Sequence, residues 1–144
     1  MARQTPREFR MNHRRPLIVL ESLALVATGG FLGANARYLV GRAVAGLPGT
    51  FLANVVGCFL LGFLVYERQF AGSLGERSRL VFAAGFLSSF TTYSTFALQT
   101  ALAAPLVGAG YVLASYAAGF LAVVGGRIVA SQVAARRATP GGQP

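Results

Sequence analysis

Long apolar stretches alternate with short polar breaks along this chain, and that alternation is its strongest pattern. Four stretches run from about residue 17 to 44, 50 to 66, 80 to 104 and 106 to 126. A bilayer core of about 30 Å takes about 20 residues of helix to cross, so each stretch predicts a transmembrane helix. The breaks hold residues that interrupt helices: AGLPGT after the first stretch, ERQFAGSLGERSR after the second, Pro105 before the fourth. Residues 1–16 (MARQTPREFRMNHRRP) carry five arginines with no apolar periodicity and read as a basic arm, disordered or lying on a surface. The apolar stretch behind it is too long for the core of a signal peptide and lacks a small-residue cleavage site. Residues 17–135 form the membrane domain, and residues 136–144 a tail that is basic and then Pro/Gly-rich.

Composition supports an integral membrane protein. Of 144 residues 54% are apolar and 12% charged, against about 25% charged in a soluble domain. Catalytic raw material is almost absent. Cys58 and His13 are single and aspartate is missing, which removes disulfide frameworks, metal-ligand clusters and Ser/His/Asp or Cys/His centres; no enzyme is expected.

Charge then sets the topology. The net charge is +9, from 13 basic residues, all arginine, against four glutamates. Four spans put the N-terminus, the second loop and the C-terminus on one side, and that side holds 11 of the 13 arginines. Arg42 is on the other side and Arg37 lies inside the first span. The positive-inside rule predicts a multi-pass protein of the plasma membrane with both termini cytoplasmic. Lipid headgroups account for the arginine excess, and no nucleic-acid partner is needed.

Polar groups at membrane depth are costly and therefore functional candidates. In the third span, seven of the eight residues from Ser88 to Thr95 carry hydroxyls: Ser88, Ser89, Thr91, Thr92, Tyr93, Ser94 and Thr95. One or two such hydroxyls would bond back to carbonyls one turn earlier and merely bend a helix. Seven predict a broken helix, since irregular backbone at this depth is tolerated only inside protein or along a cavity. Freed carbonyls at a break hold a cation, and freed amides face an anion. In the second span Thr50, Asn54 and Cys58 share one stripe; Asn54 serves either as interhelical glue or, with its two donors, as an anion contact. In the fourth span Tyr111, Ser115 and Gly119 recur at steps of four, either as a small-residue seam or as a row of hydroxyls facing the second and third spans. Aromatics at 82, 86, 90, 93 and 96 make one stripe on an unbroken helix, and the ring edges of Tyr93 and Phe96 are electropositive enough to meet a small anion. Arg37 either snorkels to the nearer interface or raises the potential of a wet vestibule. No carboxylate lies near the centre of the spans, so a donor-rich path for an anion fits better than a proton relay.

These residues resemble those of the small Fluc (CrcB) fluoride channels. GGFLGANARY (Gly29 to Tyr38) is similar to that family's Gly-rich GGxxGAxxRY segment, and GTFLANVVGCFLLG (Gly49 to Gly62) to its GTxxxNxxGxFxxG. GFLSSFTTYSTF (Gly85 to Phe96) resembles GxxGGxTTFSTF, and Tyr111, Ser115 and Gly119 its YxxxSxxxG. The resemblance covers all four spans in order. It implies an all-α membrane protein whose third helix is broken near the bilayer midplane, assembled as an antiparallel dual-topology dimer with two fluoride pathways and a structural sodium ion. It further implies a fluoride pore of Asn54, Thr92, Tyr93, Ser94, Thr95, Phe96, Tyr111 and Ser115. Sodium would be held by main-chain carbonyls of Ser88 and Thr91. The chain departs from the family pattern at Ser88 and Ser89, where the family has paired glycines, at Tyr93 for phenylalanine, and at Gln99 for a frequent glutamate.

The function expected is passive, fluoride-selective export that lowers cytoplasmic fluoride toxicity. A small multidrug-type, proton-coupled antiporter is the alternative of equal size and span number; it needs a carboxylate in the bundle, and Glu21 is the one candidate. A third reading is a non-conducting scaffold beside an active partner. The partner is a second copy of the chain or an oppositely oriented homologue, and because the arginine bias opposes equal insertion both ways, the chain is expected to insert one way and pair with the homologue.

Overall fold

The structure, a computed structural model, describes residues 6–70, 72 and 74–138. Every element is helical: α1 (Pro6–Ala43), α2 (Leu47–Phe70), α3 (Glu76–Arg79), a π-helical stretch (Leu80–Leu87), α4 (Ser88–Phe90), α5 (Tyr93–Leu102) and α6 (Pro105–Ala138). Four spans are long and apolar enough to cross a membrane: Pro16–Ala43, Leu47–Gln69, Glu76–Leu102 and Pro105–Arg137. Helices are what these sequences must form, because a lipid core offers no partner for an unpaired backbone amide or carbonyl.

The helix ends follow local chemistry. The α1–α2 turn passes through Gly46 at φ +76°, a backbone shape that glycine adopts without strain. Pro105 opens α6, at the first-turn position where its missing N–H costs nothing. Two boundaries depart from the apolar pattern. Helix α1 begins at Pro6, so residues 6–16 of the basic arm are helical, and Pro16 sits within the helix. Helix α6 continues beyond Gly126 to Ala138 and takes in Arg136 and Arg137. Hydropathy ends an apolar stretch where charge begins, but a backbone already hydrogen-bonded continues into water readily. The arm's first five residues and the tail from residue 139 lie outside the described residues.

Two close seams join the spans. Helix α2 lies along α6, where a Cβ on Gly126 would run into the Phe59 carbonyl and sit 2.6 Å from the Phe63 amide, and one on Gly62 would sit 2.5 Å from the Val123 carbonyl. Helix α1 lies along the π-helical stretch, with Gly29 and Gly33 against the carbonyls of Val81 and Phe86. Small residues allow this approach, and with no hydrophobic drive in lipid, close packing is what holds the spans together. Gly126→Val is therefore expected to separate α2 from α6 and to lose most folded, monodisperse protein in size-exclusion chromatography. Gly110→Ala, where a Cβ meets open space, is the control expected to behave as the parent.

At the arginine-rich end the spans are tied by side chains. Glu67, only 2% exposed, accepts from Arg79 Nη2 at 3.0 Å and from the Leu74 amide at 3.2 Å. Arg77 meets Glu21 of α1 at 2.8 Å on the surface. The Arg127 guanidinium of α6 lies 5.1 Å over the Tyr66 ring. Few side chains are buried: between 11% and 28% of the most apolar window of each span. Leu87, Phe90, Phe96 and Tyr111 are among them, so the packed centre gathers around the third span. The remaining apolar faces are left for lipid or another subunit.

Candidate functional site

Helical structure stops at Phe90 and resumes at Tyr93. Thr91 (φ −80°, ψ 157°) and Thr92 (φ −149°, ψ 120°) between them are extended. An extended pair leaves main-chain donors and acceptors without helical partners, and Asn54 of α2 supplies replacements. Its Nδ2 donates to the Thr92 carbonyl at 3.1 Å, and the Thr92 amide donates to its Oδ1 at 2.8 Å. Both polar ends of one side chain thus clamp both polar groups of one residue. Nδ2 carries a second hydrogen, for which no acceptor is found among the described residues. Asn54 is therefore glue between α2 and the third span, with one donor to spare.

Hydroxyls around the interruption divide into two sets. Thr92 caps α5: its Oγ1 accepts from the Thr95 amide at 3.3 Å, donates to Thr95 Oγ1 at 3.0 Å and lies 3.3 Å from Ser94 Oγ. This is the ordinary N-cap arrangement, built from three hydroxyls. Ser88 and Thr91 behave otherwise and bond back into their own helix, Ser88 to the carbonyls of Ala84 and Gly85, Thr91 to Leu87 at 2.9 Å. The back-bonding reading thus holds for these two, on the N-terminal side of the interruption. Since the Thr92 amide is spent on Asn54, the Ser88 carbonyl lacks the amide that would meet it four residues on in a regular helix.

Two cavities share Thr92 as a wall. One is a groove of about 570 Å³ lined by Asn54, Cys58, Ser88, Thr91, Thr92, Tyr93, Phe96, Ser115, Tyr116 and Gly119, among others. The other, about 360 Å³, is lined by Arg37, Tyr38, Thr50, Thr92, Thr95 and Gln99 with small residues between. The stripe of Thr50, Asn54 and Cys58 is thus divided, Thr50 in one cavity and the other two in the groove. Arg37 lines the smaller cavity. Neither cavity is lined by a carboxylate.

Aromatic rings bound the groove. Phe96 is 8% exposed and its ring centre lies 5.1 Å from Tyr111, 6.0 Å from Tyr93 and 6.3 Å from Tyr116, the last edge-on at 89°. Tyr93 is open, at 74% exposure. The five-ring stripe does not survive the interruption: Phe86 and Phe90 stack on one side of it at 5.4 Å, and Tyr93 and Phe96 belong to the other. Tyr111 Oη, Ser115 Oγ and Gln99 Oε1 are buried without a hydrogen-bond partner among the described residues. Buried polar atoms of this kind are rare and call for a guest, ion or water. Tyr116 escaped the sequence reading because it falls one residue off the four-step row of Tyr111 and Ser115; its only signal was an aromatic beside a serine of that row.

Four spans with an interruption of polar backbone, clamped from a neighbouring helix and opening on two cavities, define a membrane protein built to pass or hold a small solute. The family model described as "CrcB-like protein, Camphor Resistance (CrcB)" matches residues 24–127, and the chain belongs to that family. It is 49% identical over 119 residues, 83% of this chain and 93% of the relative, to the fluoride-specific ion channel FluC 1 of Haloarcula marismortui. It is 52% identical over 113 residues, 75% of this chain and 92% of the relative, to FluC 1 of Natronomonas pharaonis. To FluC 2 of Halobacterium salinarum it is 48% identical over 111 residues, 76% and 87% of the two chains.

Proposed function

We propose that this chain is a subunit of a fluoride-selective channel through which fluoride leaves the cell passively across the plasma membrane, lowering its toxicity in the cytoplasm. The observation that carries the reading is the Thr91–Thr92 interruption held by Asn54, with donors and ring edges around it and no carboxylate lining either cavity. Fluoride binds its water strongly, so a selective path must replace that shell with close donors in a narrow passage. Asn54 Nδ2, the hydroxyls of Thr92, Ser94, Thr95, Tyr111 and Ser115, and the edges of Tyr93 and Phe96 supply them, and Arg37 draws the anion in. Liposomes loaded with fluoride and containing the purified protein should release it rapidly to a fluoride electrode, and chloride-loaded liposomes should hold theirs. Equal release of both ions would refute the selectivity.

The interruption belongs near the bilayer midplane, with both termini on the cytoplasmic side where the arginines gather. The lipid-facing area left open on each span suits a second, antiparallel subunit. A structural sodium ion fits the donor set on one ground: the Ser88 carbonyl has lost its helical amide to Asn54. Carbonyls of Ser88 and Thr91, doubled by a second subunit, would hold it; when bound, the ion neutralises carbonyl dipoles turned towards each other.

The arginine distribution favours a second reading of the assembly, in which the partner is an oppositely oriented homologue. Expression alone should then yield one orientation in a cysteine-labelling assay, and comparable populations of both, with full fluoride efflux, would refute it. The antiporter alternative turns on Glu21, which is exposed, paired with Arg77 and absent from both cavity linings. An exposed pair contributes about 0–1 kcal/mol, so Glu21→Gln is expected to leave fluoride efflux within about twofold of the parent, whereas a proton-coupled carrier would lose its transport.

A further inference from the structure

Asn54 and Glu67 lie 13 residues apart on α2, and Arg79 and Thr92 lie 13 apart on the third span. Both pairs of ends are bonded across: Asn54 to the main chain of Thr92 at 2.8 and 3.1 Å, Glu67 to Arg79 at 3.0 Å. On α2 the interval is unbroken helix, about 20 Å at 1.5 Å per residue. The third span covers it with irregular backbone. Its π-helical stretch from Leu80 to Leu87 advances less per residue, because each i→i+5 turn holds more residues. Thr91 and Thr92 are extended and advance about 3.3 Å each. The shortening and the lengthening offset one another, and the two clamps stay in register only while both deformations persist.

We propose that the Glu67–Arg79 pair is the register lock of the ion pathway, keeping the π-helical stretch wound so that Thr92 meets Asn54. The proposal rests on the channel reading above for what the register serves. Runs of π-helix are rare, occur mostly as single turns and are frequent at functional sites, so an eight-residue run needs something to hold it. Buried ion pairs gain little net stability over apolar residues of the same volume, and their best-attested use is to specify register. Glu67 meets that description. Its side chain is 3% exposed and that of Arg79 20%; the Leu74 amide meets the second carboxylate oxygen, and Arg79 Nη1 reaches the Leu64 carbonyl at 3.5 Å. The neighbouring cation Arg77 is engaged by Glu21 of α1. Both residues act through Thr92 and touch no ion, so they are positioning residues.

Cys58, the single thiol, reports the register without engineering, since it lines the groove beside Ser88 and Thr91. In Glu67→Gln and in Arg79→Gln a membrane-permeant maleimide should label Cys58 at a changed rate. Fluoride efflux should fall by about 10- to 100-fold, the scale seen when a site is misplaced by about 1 Å. The exchanged pair, Glu67→Arg with Arg79→Glu, should restore both readouts towards the parent. Should single variants fail to fold, the neutral double variant Glu67→Gln, Arg79→Met carries the test. Parental labelling and parental efflux in a folded double variant would overturn the lock, and so would lost efflux with parental Cys58 labelling. Absence of efflux from the parent protein, both alone and reconstituted with an oppositely oriented homologue, would instead refute the channel reading, and the labelling comparison would still decide the lock.

Discussion

Asn54→Asp is expected to cut fluoride efflux by about 100-fold at neutral pH, although the two side chains are almost the same size. A carboxylate can accept from the Thr92 amide, as Oδ1 does at 2.8 Å, but it cannot donate to the Thr92 carbonyl, as Nδ2 does at 3.1 Å. Two acceptors would face each other, and a buried group deprived of its partner costs about 1–3 kcal/mol, more when charged; each 1.4 kcal/mol is a factor of about ten. The charge would also stand on the wall of the groove and repel the anion meant to pass. Electrode measurements of efflux through the variant check this; efflux at the parental rate would show that the clamp does not matter.

Phe96→Ile is expected to remove fluoride efflux almost completely while leaving the protein folded. The ring is packed between Tyr111 and Tyr116 and reached by Tyr93, and isoleucine fills much of its volume without an electropositive edge. Stability should fall by about 1–3 kcal/mol, the range for an imperfect core replacement. Efflux should fall far more, because the proposed path takes the anion past that edge. Thermal unfolding in detergent beside liposome efflux separates the two effects. Unchanged transport by the assembled pair would instead favour the scaffold reading, in which this chain packs beside an active partner and conducts nothing.

The four spans were legible because lipid imposes one requirement on every residue of a segment, and a run of apolar side chains records it directly. Family membership was legible for another reason: Asn54, the threonines near residue 92 and Phe96 stand in order at the spacing of motifs that the chain shares with that family. The pairing inside the site was not legible. Asn54 and Thr92 are 38 residues apart, and nothing local in either sequence names its partner. The π-helical stretch LVFAAGFL reads as plain apolar helix, because winding is set by what its two ends are bonded to. Glu67 and Arg79 looked like loop charges next to other loop charges, and only the return of Leu74 and Arg79 to α2 buries Glu67. Where helix α1 starts was missed for the opposite reason: charge marks the edge of the bilayer, and a helix does not have to end there.

Thr92 lines both the groove and the smaller cavity, and this has an electrical consequence. Filled with water, each cavity conducts far better than the protein around it, so the membrane voltage does not fall evenly over the bilayer thickness. On the proposed path, with the two cavities as its mouths, it would fall chiefly at Thr92. A fluoride ion crossing there would meet most of the field in a single short step. Substitutions there would reshape the current–voltage curve, whereas those deeper in either cavity would change only its scale.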